Sequence, residues 1–127
     1  MKKQLLLNPL CEAVAHDEYY SFSALIQQKD IDIDGRDYNN VTPLYYAALF
    51  KNTYMAKVLL EHGANIEIRD EFGNTPLMKA CLNRDAEMIN LLISYGADIN
   101  ATNNYGHSPK EMSRTIMDFP EIEALKK

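Results

Sequence analysis

Asp70-Glu71-Phe72-Gly73-Asn74-Thr75-Pro76-Leu77 is the stretch on which the reading of this chain turns. Thr75-Pro76-Leu77 also stands 33 residues earlier as Thr42-Pro43-Leu44, and Ser108-Pro109 follows 33 residues later. Gly63-Ala64-Asn65-Ile66 returns at the same spacing as Gly96-Ala97-Asp98-Ile99. Residues 37–69 laid over 70–102 give 11 identities in 33 positions, where chance gives about two for a pair of this length. A period of 33 belongs to solenoids, in which no unit can bury its apolar face alone and each must stack on its neighbours.

Each unit has a physical reading. Thr42 and Thr75 are helix N-caps, with Pro43 and Pro76 at the first helical position, where a missing N–H is harmless. Leu44 and Leu77 point inward. Ala47-Ala48 and Ala80-Cys81 are small enough for a second helix to pack close. That helix carries Met55, Val58, Leu59 and Leu60 in one unit, and Met88, Leu91, Leu92 and Ile93 in the next. Gly63 and Gly96 end it in the left-handed conformation that glycine adopts without steric cost. A hairpin around Gly73 or Gly106 then leads onward.

These residues resemble the ankyrin repeat. The D-x-x-G-x-T-P-L start, the small pair, the leucine-rich second helix and the G-A-D ending all fall in register over Asp70–Asn100. The unit at 37–69 matches with Asn40 in place of the turn glycine. The resemblance implies an all-α repeat solenoid of about four units, two of them end caps: 5–36, 37–69, 70–102 and 103–127. In the first, Asn8 replaces the capping Thr, Ala13-Val14 aligns with Ala47-Ala48, and Ser21 and Ser23 face water. In the last, Ser108-Pro109 opens a helix, Lys110 replaces the buried leucine, and Ile122 and Leu125 align with Ile89 and Leu92. Two departures stand out. The family's hairpin-bracing histidine is Tyr45 and Met78 here, so that bracing is expected to be lost or replaced by packing. The glycine between paired helices is Lys51 and Arg84, which implies about 1 kcal/mol of backbone strain at each junction.

Composition narrows the function. At 127 residues the chain is one domain or one short array, and 46% hydrophobic with 24% charged residues is an ordinary globular balance. A net charge of −5 repels phosphate backbones and disfavours nucleic acid. The longest apolar run, Leu44 to Phe50, is far too short to span a membrane. Met1-Lys2-Lys3 before Leu5-Leu6-Leu7 imitates a signal peptide. Asn8, Pro9 and Glu12 interrupt it and no cleavage site follows, so a cytoplasmic protein is expected. Cys11 and Cys81 read as buried thiols rather than a disulfide framework.

No chemistry is legible. Asp30-Ile31-Asp32-Ile33-Asp34-Gly35 opens like a calcium loop, but its twelfth position is Val41, which cannot ligate a cation. His16, His62 and His107 have no metal spacing. Nucleophile and phosphate-loop motifs are absent from the sequence. No enzyme activity, cofactor or metal is expected.

What remains is surface. In the ankyrin arrangement the hairpin tips and first helices line a concave face. By repeat position it would carry Tyr38, Asn39, Val41, Leu49 and Phe50, then Glu71, Phe72, Asn74, Leu82 and Asn83, and lastly Asn104, Tyr105 and His107. Tyr38, Phe72 and Tyr105 recur at or next to one hairpin position, and rigid aromatics anchor protein interfaces. The expected role is a monomeric adaptor or scaffold that binds one or more proteins. The alternative is a stoichiometric inhibitor, since small stand-alone ankyrin proteins resemble bacterial immunity proteins. An acidic chain would suit a basic toxin or enzyme by long-range steering.

Overall fold

The computed structural model describes residues 8–115, with side chains described through Met112. Ile122 and Leu125, and the chain before Asn8, lie outside the described residues. Seven α-helices and no strand occur among the described residues: α1 (Pro9–Ala15), α2 (Tyr19–Ile26), α3 (Pro43–Leu49), α4 (Thr53–Glu61), α5 (Pro76–Leu82), α6 (Ala86–Ser94) and α7 (Pro109–Thr115). The pairs α1–α2, α3–α4 and α5–α6 pack within themselves. The first helices α1, α3, α5 and α7 also pack in sequence, forming a continuous inner row. The second helices α4 and α6 touch less extensively. This is the expected all-α helix-pair solenoid, in which the inner row is the tighter seam.

The caps form as the sequence dictates. The Asn8 side chain accepts from the N–H groups of Leu10 and Cys11. Thr42 and Thr75 accept from the N–H of Tyr45 and Met78. At the last helix Ser108 and Glu111 cap one another reciprocally, with the Glu111 carboxylate accepting from Ser108 N–H at 3.0 Å. The second helices close through Gly63 and Gly96 at φ 90° and 92°. Ala64 N–H donates to Leu59 C=O and Ala97 N–H to Leu92 C=O, both at 3.0 Å, as a left-handed cap requires.

The first helices use the same closure without glycine. Asp17, Lys51 and Arg84 have φ of 55°, 60° and 55°. The following amides of Glu18, Asn52 and Asp85 donate to Ala13, Ala47 and Ala80. The strain expected at Lys51 and Arg84 is therefore present, and Asp17 repeats it in the first unit. Replacing the exposed Lys51 with glycine should raise stability by roughly 0.5–1 kcal/mol, because the residue is already left-handed. A urea melt checks this, and a destabilised Lys51→Gly would mean that the lysine stem contributes packing that outweighs the strain.

One core runs through the units. Leu10, Phe22, Leu44, Met55, Leu59, Leu77, Met88, Ile89 and Leu92 are among its fully buried members. Cys11 and Cys81 lie within it, and burial pushes both thiols up, that of Cys81 to about 12. Thiols held protonated in this way are poor nucleophiles.

Hydrogen bonds tie each hairpin to the next. Arg36 Nη1 donates to Asn40 C=O in its own hairpin and to Arg69 C=O, 33 residues on. Arg69 repeats this with Gly73 and Thr102. The bracing expected to be lost or replaced by packing at Tyr45 is instead supplied by a hydrogen bond, since its hydroxyl donates to Asp70 Oδ2 at 2.7 Å in the next hairpin. Met78 has no hydroxyl to do this and lies fully buried in the core. Its sulfur accepts from Thr75 N–H at 3.4 Å. The acidic run also has work within the scaffold, for Asp34 Oδ1 accepts from Asn65 N–H at 2.9 Å.

The tyrosine brace has a pH signature. Burial, then the carboxylate of Asp70, raises the Tyr45 phenol well above its ordinary value. Tyr46, whose hydroxyl donates to Asp37, is raised in the same direction, mainly by burial. A phenol with a raised folded-state pKa contributes stability that is full below its unfolded value of about 10 and is lost as pH rises beyond it. The melting temperature should fall as pH rises above about 10, and less steeply in Tyr45→Phe. An identical slope in that variant would remove Tyr45 as the source.

Candidate partner-binding face

Three hairpins are built on one plan. Asp37, Asp70 and Asn103 each begin a turn in which their N–H bonds the carbonyl four residues on, at Val41, Asn74 and His107. In each, the side-chain oxygen accepts from the amide two residues on, at Asn39, Phe72 and Tyr105, at 2.9 Å. The left-handed position is Asn40, Gly73 and Gly106, at φ 64°, 80° and 83°. At Gly73 a Cβ would also come within 2.8 Å of the Asn104 backbone nitrogen, so no side chain fits. The reason is a contact between hairpins: Asn104 N–H donates to Phe72 C=O at 3.0 Å, and its side chain donates to Glu71 C=O.

This scaffold holds Phe72 and Tyr105 out into solvent. They are 46% and 67% exposed, although both sit on rigid turns. Phe72, Asn74, Leu82, Tyr105 and His107 come together around a groove of about 360 Å³ between the third helix pair and α7. All five belong to the face expected from repeat position. Asn103 and Met112 complete the lining and were not anticipated. Asn103 was findable, because it is the period equivalent of Asp37 and Asp70. Met112 carries no such signal, since it is the equivalent of Tyr46 and Lys79 on the first helices.

The groove does not gather the whole expected face. Val41 is buried, its carbonyl facing the Cys11 thiol at 3.6 Å, so it belongs to the core and not to an open surface. It follows the left-handed Asn40, which turns its side chain inward toward the helices. Asn83 is committed to the scaffold, because its amide donates at 3.2 Å to the carbonyls of Ala48 and Leu49 at the end of α3. Leu49 packs against the core. Phe50 is 53% exposed but stacks on Tyr46, with ring centroids 6.1 Å apart and planes 2° from parallel. It lines a separate cavity of about 430 Å³ with Asp17, Lys51, Asn52 and Glu87. Tyr38 is exposed at the tip of the first of these hairpins, and Asn39 donates to the Tyr46 hydroxyl. Glu71 and Asn104 are exposed at the corresponding tips beside the groove.

Chemically the groove offers two aromatic rings, two aliphatic or thioether side chains and a rim of amides with one imidazole. That set suits an apolar side chain held between polar backbone contacts. Among the described residues no group of three or more His, Cys, Asp or Glu is placed to hold a metal ion, and no helix is long and apolar enough to cross a membrane.

A search of curated proteins returned no match. A family model described as ankyrin repeats, in three copies, matches residues 10–103. That span takes in the first three helix pairs and reaches the last hairpin, so the chain belongs to the ankyrin-repeat family, a family of non-enzymatic protein–protein interaction modules.

Proposed function

We propose that the protein binds a partner protein through the concave groove formed by Phe72, Leu82, Tyr105 and Met112, and acts as a monomeric adaptor or scaffold. The observation that supports this is the convergence of two exposed aromatic rings, on rigid neighbouring hairpins, over one apolar groove. Rigid aromatics supply contact area at small entropic cost and are the residue type that dominates binding energy. In this reading 37–69 and 70–102 are full units between end units 5–36 and 103–127, and the protein works in the cytoplasm.

Inhibition of one basic target is the second reading, favoured by the net charge of −5. A partner recovered from the native host decides between them. Hydrogen exchange on the complex should protect residues 70–74 and 103–107 if the groove is the interface. Protection confined to the outer helices would overturn the proposal. Loss of the partner's own activity on stoichiometric binding would select inhibitor over adaptor.

A further inference from the structure

A second group of aromatics lies away from the groove. Tyr19 and Tyr20 open α2, and Tyr54 is the second residue of α4. The Tyr19 and Tyr20 rings meet edge-on at 5.3 Å, and the Tyr19 and Tyr54 rings lie 5.8 Å apart. Tyr20 is 85% exposed, and the other two are about half exposed. The two helix starts are also tied together. Asp17, left-handed at the junction before α2, accepts from Asn52 Nδ2 at 3.1 Å, and Asn52 caps α4. The two helix starts, and with them Tyr19 and Tyr54, are therefore held side by side.

The surroundings are acidic. Asp17 and Glu18 immediately precede the first ring and are exposed. The Tyr54 phenol is raised above its ordinary value, first by its neighbour Tyr19 and least by the charge of Glu61. Glu87 accepts from Thr53 Oγ1 at 3.4 Å, next to Tyr54 in the chain. Lys51, Lys57, Arg84, His16 and His62 are the cationic groups on the same segments, and His16 is engaged by Glu12 at 3.5 Å.

We propose that this tyrosine patch is a second docking surface, which takes an arginine-bearing segment of a partner protein. The argument is one of complementarity. A guanidinium stacks on phenol faces and forks onto a carboxylate, so one side chain satisfies both features of the patch. Phosphate-rich ligands meet repulsion from the carboxylates, and so does a second copy of this acidic chain. The patch uses the starts of the second helices in the first two units, whereas the groove uses hairpins and first helices further on. The two readings stand or fall separately.

The probe is the blocked peptide Gly-Arg-Gly-Arg-Gly-Arg-Gly, titrated into the full chain while tyrosine ring signals are followed by NMR. The rings of Tyr19, Tyr20 and Tyr54 should shift saturably, and the lysine version of the peptide should bind about threefold or more weakly. Tyr19→Leu/Tyr54→Leu should weaken the arginine peptide by roughly tenfold, while Phe72→Ala leaves it unchanged. Circular dichroism checks the fold of the double variant, and Tyr20→Ser carries the same test at the most exposed ring. Shifts spread evenly over the acidic surface, or affinity unaltered in these variants, would overturn the proposal. So would a concentration-dependent dimer abolished by Tyr20→Ser, which would assign the patch to self-association.

Discussion

Leu59→Ala should destabilise the protein by about 2–5 kcal/mol, the largest effect expected of any single substitution discussed. Leu59 is fully buried on α4, in the middle of the stack. Its carbonyl also accepts the Ala64 amide that closes the helix through Gly63. Truncation removes the transfer energy of the lost methyl groups and leaves a cavity that neighbours can fill only partly. The surrounding residues are fixed by the inner row of first helices, so collapse should be small and the cost should lie toward the upper part of the range. Leu92→Ala, at the equivalent position of α6, should fall within the same range. Urea melts measure both. A neutral Leu59→Ala would show that the second helices contribute little to the cooperative unit, leaving the first-helix row to carry it alone.

Period and capping chemistry make the architecture legible in the sequence. Thr-Pro-Leu at 33-residue spacing fixed the starts of α3 and α5, and Asn8-Pro9 and Ser108-Pro109 mark the same event in divergent form. Lys51 and Arg84 were expected to be strained because they occupy a position that prefers glycine, and their positive φ values agree. What the period cannot supply is the partner of a side chain. Arg36 and Arg69 looked like ordinary charged residues, yet each bridges two hairpins. Tyr45 looked like a packing substitute for a hydrogen-bonding residue, yet its hydroxyl has the length to reach Asp70. For the site, five of the residues named from repeat position, Phe72, Asn74, Leu82, Tyr105 and His107, line one groove. It failed at Val41 and Asn83, because equivalent positions in a repeat share a backbone direction but not a degree of burial. The tyrosine patch on α2 and α4 carries a signal in two units only, since Tyr20 and Tyr54 are equivalent at the 34-residue offset that lays Ala13 over Ala47, but the next equivalent position is Glu87.

Phe72→Ala should cost at least about 2 kcal/mol of partner binding, some thirtyfold in affinity, if the concave groove is the interface. Phe72 is the ring to test because it lies on the middle of the three hairpins and borders the groove beside Leu82 and Tyr105. Its backbone is held independently of the ring. Its N–H donates to Asp70 and its carbonyl accepts from Asn104, and alanine keeps both bonds. Folding stability should therefore change by no more than roughly 0.5–1 kcal/mol, since about half of the ring is already in water. Glu71, exposed next to it, should behave differently. Glu71→Gln should slow association and flatten its salt dependence, with little change in dissociation, because a rim charge steers encounter rather than anchoring the complex. Tyr105→Ala should resemble Phe72→Ala, and the two losses should not add, since both rings border one cavity. Surface plasmon resonance at two salt concentrations separates these effects. A Phe72→Ala protein that folds normally and binds its partner unchanged would remove the groove as the interface, whatever happened at the tyrosine patch. A loss confined to the Tyr54 variants would move the interface to the outer helices.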